Sequence, residues 1–121
     1  TIADRDKAEA LPLIRRFYNM GFSIQATEGT AKYLKQHGIR THTLQKISDG
    51  SSEIPDAIRG GYVTYVINTR DLSSSNVMSD GYEIRQCAAE NNVTTFTSLD
   101  TVRVLLDVLE ETTFTISTID A

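Results

Sequence analysis

The sequence predicts an α/β domain of the doubly wound type, with a mainly parallel sheet of four to five strands in a three-layer sandwich. Strand-like and helix-like segments alternate along the whole chain, which is the pattern of βαβ units. The segment 62–67 is apolar, β-branched and aromatic, as expected for a parallel strand buried on both faces. The 121 residues suffice for one domain core but not for two.

The strand candidates are short runs of apolar or β-branched residues between turn residues. The first resembles the end of a strand that begins before Thr1, and a start without Met fits a fragment or an excised domain. We expect strands at 1–3, 22–26, 41–44, 62–67 and 93–96.

The helices are predicted from apolar residues at helical spacing and from residues suited to helix ends. Asp4 or Asp6 is placed to cap the first helix, which Gly21 ends, and Thr97 or Ser98 to cap the last. The tail 112–121 is expected to be frayed or a linker. We expect the later helices at 30–37, 54–59, 80–91 and 99–109, with polar loops at 48–52 and 68–79.

Composition excludes several classes of protein. Hydrophobic content of 40%, charged content of 23% and a net charge of -4 describe an ordinary globular domain without the basic footprint of a nucleic-acid binder. We see no apolar stretch near the roughly 20 residues that span a bilayer, so no membrane contact is expected. The single Cys87 excludes an internal disulfide and fits a reducing compartment, so we expect a cytoplasmic protein.

Polar residues follow the predicted strands where the carboxyl ends of parallel strands meet, which is where such sheets bind ligands. The turn at 26–30 joins a strand to a helix through small and hydroxyl residues. Unpaired N–H groups and the positive end of the helix dipole make it a seat for phosphate or carboxylate. The alternation predicts a shared rim formed by Lys7, Thr27, Thr30, Lys46, Asn68 and Thr69.

Each of these residues also has a purely structural interpretation. The two lysines could pair with a phosphate dianion or be solvated, and the two rim threonines from the 26–30 turn could be helix caps, ligands or both. Asn68 could organise a turn, and Asp80 is first a helix cap and second an acceptor for a ribose hydroxyl.

Catalytic patterns are poorly supported. His37 lies at a helix end, where it caps carbonyls or meets solvent, and His42 lies on a short strand without an evident partner. Cys87 shares an apolar helix face with Ile84 and is expected to be a core thiol. The sequence has no HExxH, paired CxxC, Walker A, GxSxG or strict GxGxxG motif.

A series of motifs resembles the C-terminal regulatory domain of the carbamoyl-phosphate synthase large subunit, which has the methylglyoxal-synthase-like, Rossmann-like fold. The resemblance covers nearly the whole chain, as a domain over 1–113 and a tail over 114–121. Its motifs are IADRDK at 2–7, ALPL at 10–13, GF at 21–22, ATEGTA at 26–31, VINT at 66–69, DGYEIR at 80–85 and TSLDT at 97–101.

The resemblance implies a non-catalytic regulatory module that binds UMP, or IMP or phosphoribosyl pyrophosphate in some branches. It implies a parent ligase that makes carbamoyl phosphate for pyrimidine and arginine biosynthesis, with catalytic ATP-grasp halves, a glutaminase small subunit, and ATP with Mg or Mn. No cofactor is implied for the domain itself. In the family, positions matching Lys7, Thr27, Thr30 and Lys46 hold the effector phosphate, and those matching Asn68, Thr69 and Asp80 lie near its nucleoside.

Two other functions are compatible with the same fold. Methylglyoxal synthase carries a catalytic Asp in a Gly-Asp-Gln-Gln loop and a His-Asp pair near its start. This chain has Glu53 closing the loop at 50–53 and Ala3-Asp4 at the start, so lyase activity is disfavoured. Related domains also self-associate, and the apolar helix 99–109 could serve an oligomeric interface.

Overall fold

A computed structural model describes the backbone of residues 1–69 and 80–120 and the side chains of residues 1–69 and 81–112. Short 3₁₀ turns at Asp4–Asp6 and Ile47–Asp49 accompany the helices and strands. In chain order, the main elements are α1 Lys7–Asn19, β1 Ile24–Thr27, α2 Glu28–Gln36, β2 Thr41–Leu44, α3 Glu53–Arg59, β3 Tyr65–Ile67, α4 Asp80–Glu90, β4 Thr94–Phe96 and α5 Leu99–Asp120.

The strands are parallel, which confirms the predicted α/β class, but they form two separate pairs. β1 pairs with β2, with Ile24 opposite Thr41. β3 pairs with β4, with Tyr65 opposite Thr94. Among the described residues no strand pairing joins β1 to β3, so the single sheet of four to five strands is observed as two halves.

Residues 1–3 do not form the predicted strand, although they lie beside β3. The Thr1 amino group donates to the Ile67 carbonyl at 3.0 Å, and the Thr69 N–H donates to the Thr1 carbonyl at 3.2 Å. The segment then turns into the 3₁₀ turn before α1. These two bonds are too few for a strand, but they anchor the segment at the carboxyl end of β3.

The helix ends agree with the predicted glycine stops. Gly21 has φ 95° and Gly38 has φ 83°, a left-handed conformation that glycine adopts without steric cost. The predicted acidic cap of α1 is wrong, because Asp6 occupies the cap position without a side-chain cap hydrogen bond. The carboxylate of Asp4 instead pairs with Lys7.

β3 is shorter and less buried than the sequence predicts. The segment 62–67 reaches strand geometry only at Tyr65, since the chain first passes through Gly61 at φ 77° and through Tyr62, which is 79% exposed. All three β3 residues are half-buried, because one edge of the strand faces a cavity instead of another strand. The predicted loop at 68–79 lies largely outside the described residues.

The core forms two clusters, which gives the predicted layers. Helices α1, α2 and α5 pack on one side of the strands and α3 and α4 on the other. Tyr65 and Ile67 face the first cluster while Val66 faces the second, as the alternation of a strand requires. The buried members of the second cluster are Ile54, Ile58, Ile84 and Cys87, which confirms Cys87 as a core thiol.

α5 begins as predicted and continues further than predicted. The N–H of Asp100 donates to the Ser98 hydroxyl at 3.2 Å, which confirms the serine cap. The helix runs to Asp120, so the backbone of the predicted tail is helical up to that residue, and its fraying stays a prediction. The boundary between residues 113 and 114 thus falls within a continuous helix.

Candidate functional site

The turn from β1 into α2 has the geometry of an anion seat. Thr27 ends β1 and is the N-cap residue of α2, with extended backbone angles. The next residues supply the first N–H groups of the helix, which have no carbonyl one turn earlier to bind, and which carry the positive end of the helix dipole. Thr27 and Thr30 are only 6% and 4% exposed, whereas Gly29 between them is open to solvent.

The Lys7 ammonium lies beside this helix terminus. A Cβ placed on Gly29 would be 3.6 Å from Lys7 Nζ. The lysine side chain is 16% exposed, and its ion-pair partner Asp4 is 92% exposed. A cation is therefore held against the positive end of a helix dipole, with the exposed Asp4 carboxylate as its ion-pair partner. An anion bound between Lys7 and Gly29 would be attracted by both.

The two threonine hydroxyls of the seat differ in their availability. Thr27 stands at the N-cap but makes no side-chain cap hydrogen bond, so the predicted capping role of its hydroxyl is wrong. The Thr30 hydroxyl accepts the Ile2 N–H at 3.2 Å, which ties the N-terminal segment to α2. In the described structure, Thr27 thus has the uncommitted hydroxyl and Thr30 has a structural bond.

Lys46 lies at the same edge, on the neighbouring strand. Thr27 is paired with Leu44, and Lys46 follows two residues later as an exposed side chain. Within the described part of the chain it forms no ion pair. The Glu53 carboxylate accepts the N–H of Gln45 at 2.7 Å and so brings a negative charge to this edge.

Asn68 and Thr69 are buried and already hydrogen-bonded. The Asn68 side-chain oxygen accepts from Arg85 Nη1 at 2.8 Å, and its backbone N–H donates to Phe96 at 2.8 Å. The Thr69 hydroxyl accepts the N–H of Ala3 at 2.8 Å. The structure therefore gives these two residues architectural bonds, and their contact with a nucleoside stays a prediction.

Arg85 was not among the predicted site residues. It lies four residues after Gly81 on α4, so both occupy one helix face next to Asn68. A Cβ on Gly81 would be 2.9 Å from Asn68 Oδ1 and 3.0 Å from Arg85 Nη1. The spacing of a glycine and an arginine on one face was the available signal. Asp80 begins α4, and its side chain lies outside the described residues.

The amino group of Thr1 lies near Lys7 and loses its proton more readily than an ordinary amino group. Desolvation, with a smaller effect from the nearby Lys7 ammonium, lowers the pKa of the Thr1 amino group from 8.0 to about 6. The positive charge beside the seat is therefore carried by the Lys7 ammonium and the α2 terminus. Their mutual repulsion would be relieved by a bound anion.

The remaining chemistry-bearing residues form no second site in the described structure. His37 Nδ1 lies 2.8 Å from the Tyr33 carbonyl at the end of α2, as predicted for a helix-end histidine. His42 is exposed on β2. Within the ranges described, no cluster of His, Cys, Asp and Glu could hold a metal ion. No helix there combines the length and the apolar character needed to cross a membrane.

Comparison with protein families supports this fold. Residues 9–97 match the MGS-like domain family. The chain belongs to the MGS-like domain family. The match covers more than half of the chain and includes the turn from β1 into α2, Lys46, Asn68 and Thr69. Lys7 lies two residues before it, so the contribution of α1 to the seat rests on the geometry at Gly29.

Proposed function

We propose that this MGS-like chain is a nucleotide-binding allosteric domain of a glutamine-hydrolysing carbamoyl-phosphate synthase large subunit. Its effector is UMP or a related phosphorylated compound such as IMP or phosphoribosyl pyrophosphate. The observation that carries the proposal is the Lys7 ammonium beside Gly29 at the N-terminus of α2. A lysine ammonium and a helix N-terminus are both positive, and held together they can bind an anion with two or more acceptor oxygens.

The phosphate would bind to several donors at once. The N–H groups of the first turn of α2 and the Thr27 hydroxyl donate to its oxygens, and Lys7 supplies charge from α1. Lys46 supplies a second charge from the end of β2. Thr30 positions the seat through its bond to Ile2. The nucleoside would extend toward Asn68, Thr69 and Asp80 beyond the other pair of strands.

Regulation requires that the effector bind one state of the parent enzyme more tightly than the other. In this proposal the domain has no catalytic residues and no cofactor of its own. The partner catalytic ATP-grasp halves, with ATP and Mg or Mn, and the glutaminase subunit would carry out carbamoyl phosphate synthesis in the cytoplasm for pyrimidine and arginine biosynthesis. When the effector phosphate occupies the α2 terminus, its binding free energy would differ between two states of the parent enzyme. That difference would be the contribution of the domain to regulation.

An oligomerisation role is the second candidate, and one observation favours it. Val104 and Val108 lie one helical turn apart on α5 and are 63% and 54% exposed. Sedimentation of the chain with and without nucleotide separates the two functions, because oligomers that form without ligand favour assembly. A lyase role has no comparable support, since the Glu53 carboxylate is engaged by the Gln45 N–H.

The test is isothermal titration of the chain with UMP, IMP and phosphoribosyl pyrophosphate. We expect saturable binding by at least one of them. Lys7→Met should weaken it about tenfold or more, since a charge-assisted hydrogen bond is lost, and Thr27→Val about fivefold.

Two matched variants serve as controls. Lys32→Met removes an exposed lysine from α2 outside the seat, and Thr41→Val removes a buried threonine hydroxyl from β2. Both should bind like the unaltered chain. Absence of binding by all three ligands to the folded chain, or equal losses in the control variants, would contradict the proposal.

A further inference from the structure

The segment 29–48, which runs from the first turn of α2 past the end of β2, carries positive charge only. It contains four of the 12 Lys and Arg residues of the chain and none of its 16 Asp and Glu residues. The rest of the chain is therefore acidic, since the whole has a net charge of -4. The four cations are Lys32, Lys35, Arg40 and Lys46.

The fold places part of this charge along β2. Lys35 Nζ donates to the Thr43 hydroxyl at 2.8 Å, so the lysine side chain reaches from α2 to the strand. Arg40 directly precedes β2 in the chain. Both cations are exposed, and neither forms an ion pair within the part of the chain that the structure describes.

Arg15 extends the positive surface from α1. Its Nη2 donates to the His37 carbonyl at 2.7 Å, at the end of α2 and three residues before Arg40. This bond positions the guanidinium but leaves its charge uncompensated, because a carbonyl is neutral. Among the described residues Arg15 also has no carboxylate partner.

β2 has an outer backbone edge beside these cations. It pairs with β1 on one side, and no described strand pairs with it on the other. In a parallel strand, alternate residues direct their N–H and carbonyl groups away from the neighbouring strand. The edge ends at Gln45, whose N–H donates to the Glu53 carboxylate at 2.7 Å. We call this outer edge, together with Arg15, Lys35 and Arg40, the basic edge.

Charged side chains beside an edge strand commonly prevent it from pairing with other strands. The basic edge has this effect on a second copy of the chain, since two such edges would bring like charges together. It has the opposite effect on an acidic strand, which the same charges attract. We propose that the basic edge binds a short, extended, acidic peptide segment, which adds a strand to β2.

A short peptide suits the basic edge better than a nucleic acid or an anionic membrane does. The backbone of a peptide can complete the ladder of β2, which a phosphate polymer or a lipid headgroup cannot. A long polyanion would also extend beyond β2, where Asp49 and Glu53 are exposed. The proposal is independent of nucleotide binding, because it uses neither Lys7 nor Lys46.

The probe is a fluorescein-labelled peptide of about eight residues in which Glu and Thr alternate, so that all carboxylates lie on one face of a strand. Fluorescence anisotropy measures its binding to the full chain at low salt, and amide exchange is followed within 41–44. The comparison ligands are the same peptide with a central proline, a Lys-Thr peptide, an oligothymidylate of equal charge and phosphatidylserine vesicles. Sedimentation measures the oligomeric state of the chain without ligand.

A double variant tests the charges of the basic edge. Lys35→Met with Arg40→Met should weaken binding of the Glu-Thr peptide about fivefold or more at low salt, since two attractive charges are lost. The matched control is Arg59→Met with Arg103→Met, which removes two exposed cations from α3 and α5. The control should bind like the unaltered chain, and circular dichroism verifies that both variants are folded.

We expect the Glu-Thr peptide to bind saturably and to slow amide exchange within 41–44 about tenfold or more. The proline peptide should bind about tenfold more weakly, because proline lacks the N–H that a ladder needs. Absence of binding, indifference to the proline or equal losses in the two double variants would overturn the proposal. So would equal binding of the oligothymidylate or the vesicles, which would indicate a general polyanion surface. Dimers of the chain that exclude the peptide would overturn it too, and would make a second copy the occupant.

Discussion

Gly29 and Gly81 lie in the first turns of α2 and α4 and show how different the demands on one residue type can be. A Cβ on Gly29 would meet only Lys7 Nζ at an ordinary contact distance of 3.6 Å. A Cβ on Gly81 would lie 2.9 Å from the Asn68 oxygen, closer than side chains approach each other. The first glycine is therefore sterically replaceable, and the second is required by the bond between Asn68 and Arg85.

We expect Gly29→Ala to raise the free energy of unfolding by about 0.5–1 kcal/mol, because alanine restricts the unfolded chain and favours helix. Gly81→Ala should instead lower it by about 1–3 kcal/mol, because the added methyl displaces a buried amide. Urea unfolding of both variants measures the difference. Each variant controls for the helix propensity of the other, so equal changes would refute the steric argument.

At the scale of elements, α1 and α5 are joined by a charged contact at the surface. Arg16 donates to Glu110 at 2.8 and 2.9 Å through two nitrogens and to Asp107 at 2.7 Å. The hydrogen bonds and charges of this cluster raise the pKa of Arg16, and Arg16 lowers the pKa of Glu110. The contact fixes the position of α5 on α1 beside the shared apolar cluster.

The lowered pKa of Glu110 predicts an acid-sensitive contribution to stability. The folded state binds this proton less readily than the unfolded chain, whose carboxyl has a pKa of 4.5. The stabilisation is thus present above pH 4.5 and is lost as the pH falls through the folded-state pKa. Arg16→Gln should flatten the pH dependence of the urea midpoint below pH 4.5.

Glu90→Gln is the comparison for that prediction, because it removes an exposed carboxylate of α4, away from the cluster of Arg16, Asp107 and Glu110. This variant should keep the pH dependence of the urea midpoint that Arg16 causes in the unaltered chain. High salt should reduce the effect of Arg16→Gln, since the side chains of Arg16 and Glu110 both reach solvent and their attraction is screened. An identical acid response of the unaltered and Arg16→Gln chains would exclude the contribution.

The helices and strands also show which features of the fold and the site the sequence could predict. β2 agrees with its predicted bounds, and Gly21 and Gly38 end their helices, because turn residues and β-branched runs act locally. The prediction of a strand over 62–67 was wrong at its start, because the apolar pattern does not reveal that the chain leaves Gly61 with Tyr62 exposed. Lys7 and Gly29 lie in the first turns of α1 and α2, so a local pattern of helix starts can indicate them. The bond of Arg85 to Asn68 depends instead on how α4 packs against β3, which no local pattern shows.

For the whole molecule, the N-terminal segment connects parts that the divided sheet leaves separate. Thr1 and Ala3 bond to the end of β3, while Ile2 bonds to Thr30 on α2. The segment therefore links the β1–β2 half to the β3–β4 half at the rim that holds the anion seat. Ligand binding at this rim and the stability of the whole domain should be coupled through it.

The amino group at this junction predicts a dependence of stability on pH between 6 and 8. Its pKa is about 6 in the folded chain and 8.0 in the unfolded chain, so between these values the unfolded state holds more protons. Stability should rise as the pH increases from 6 to 8, and the urea midpoint measures it. Acetylation of Thr1 should abolish this rise while keeping an N–H for Ile67, and Lys7→Met should reduce it, because Lys7 contributes to the shift. An acetylated chain with the same slope would mean that other groups govern stability in this range.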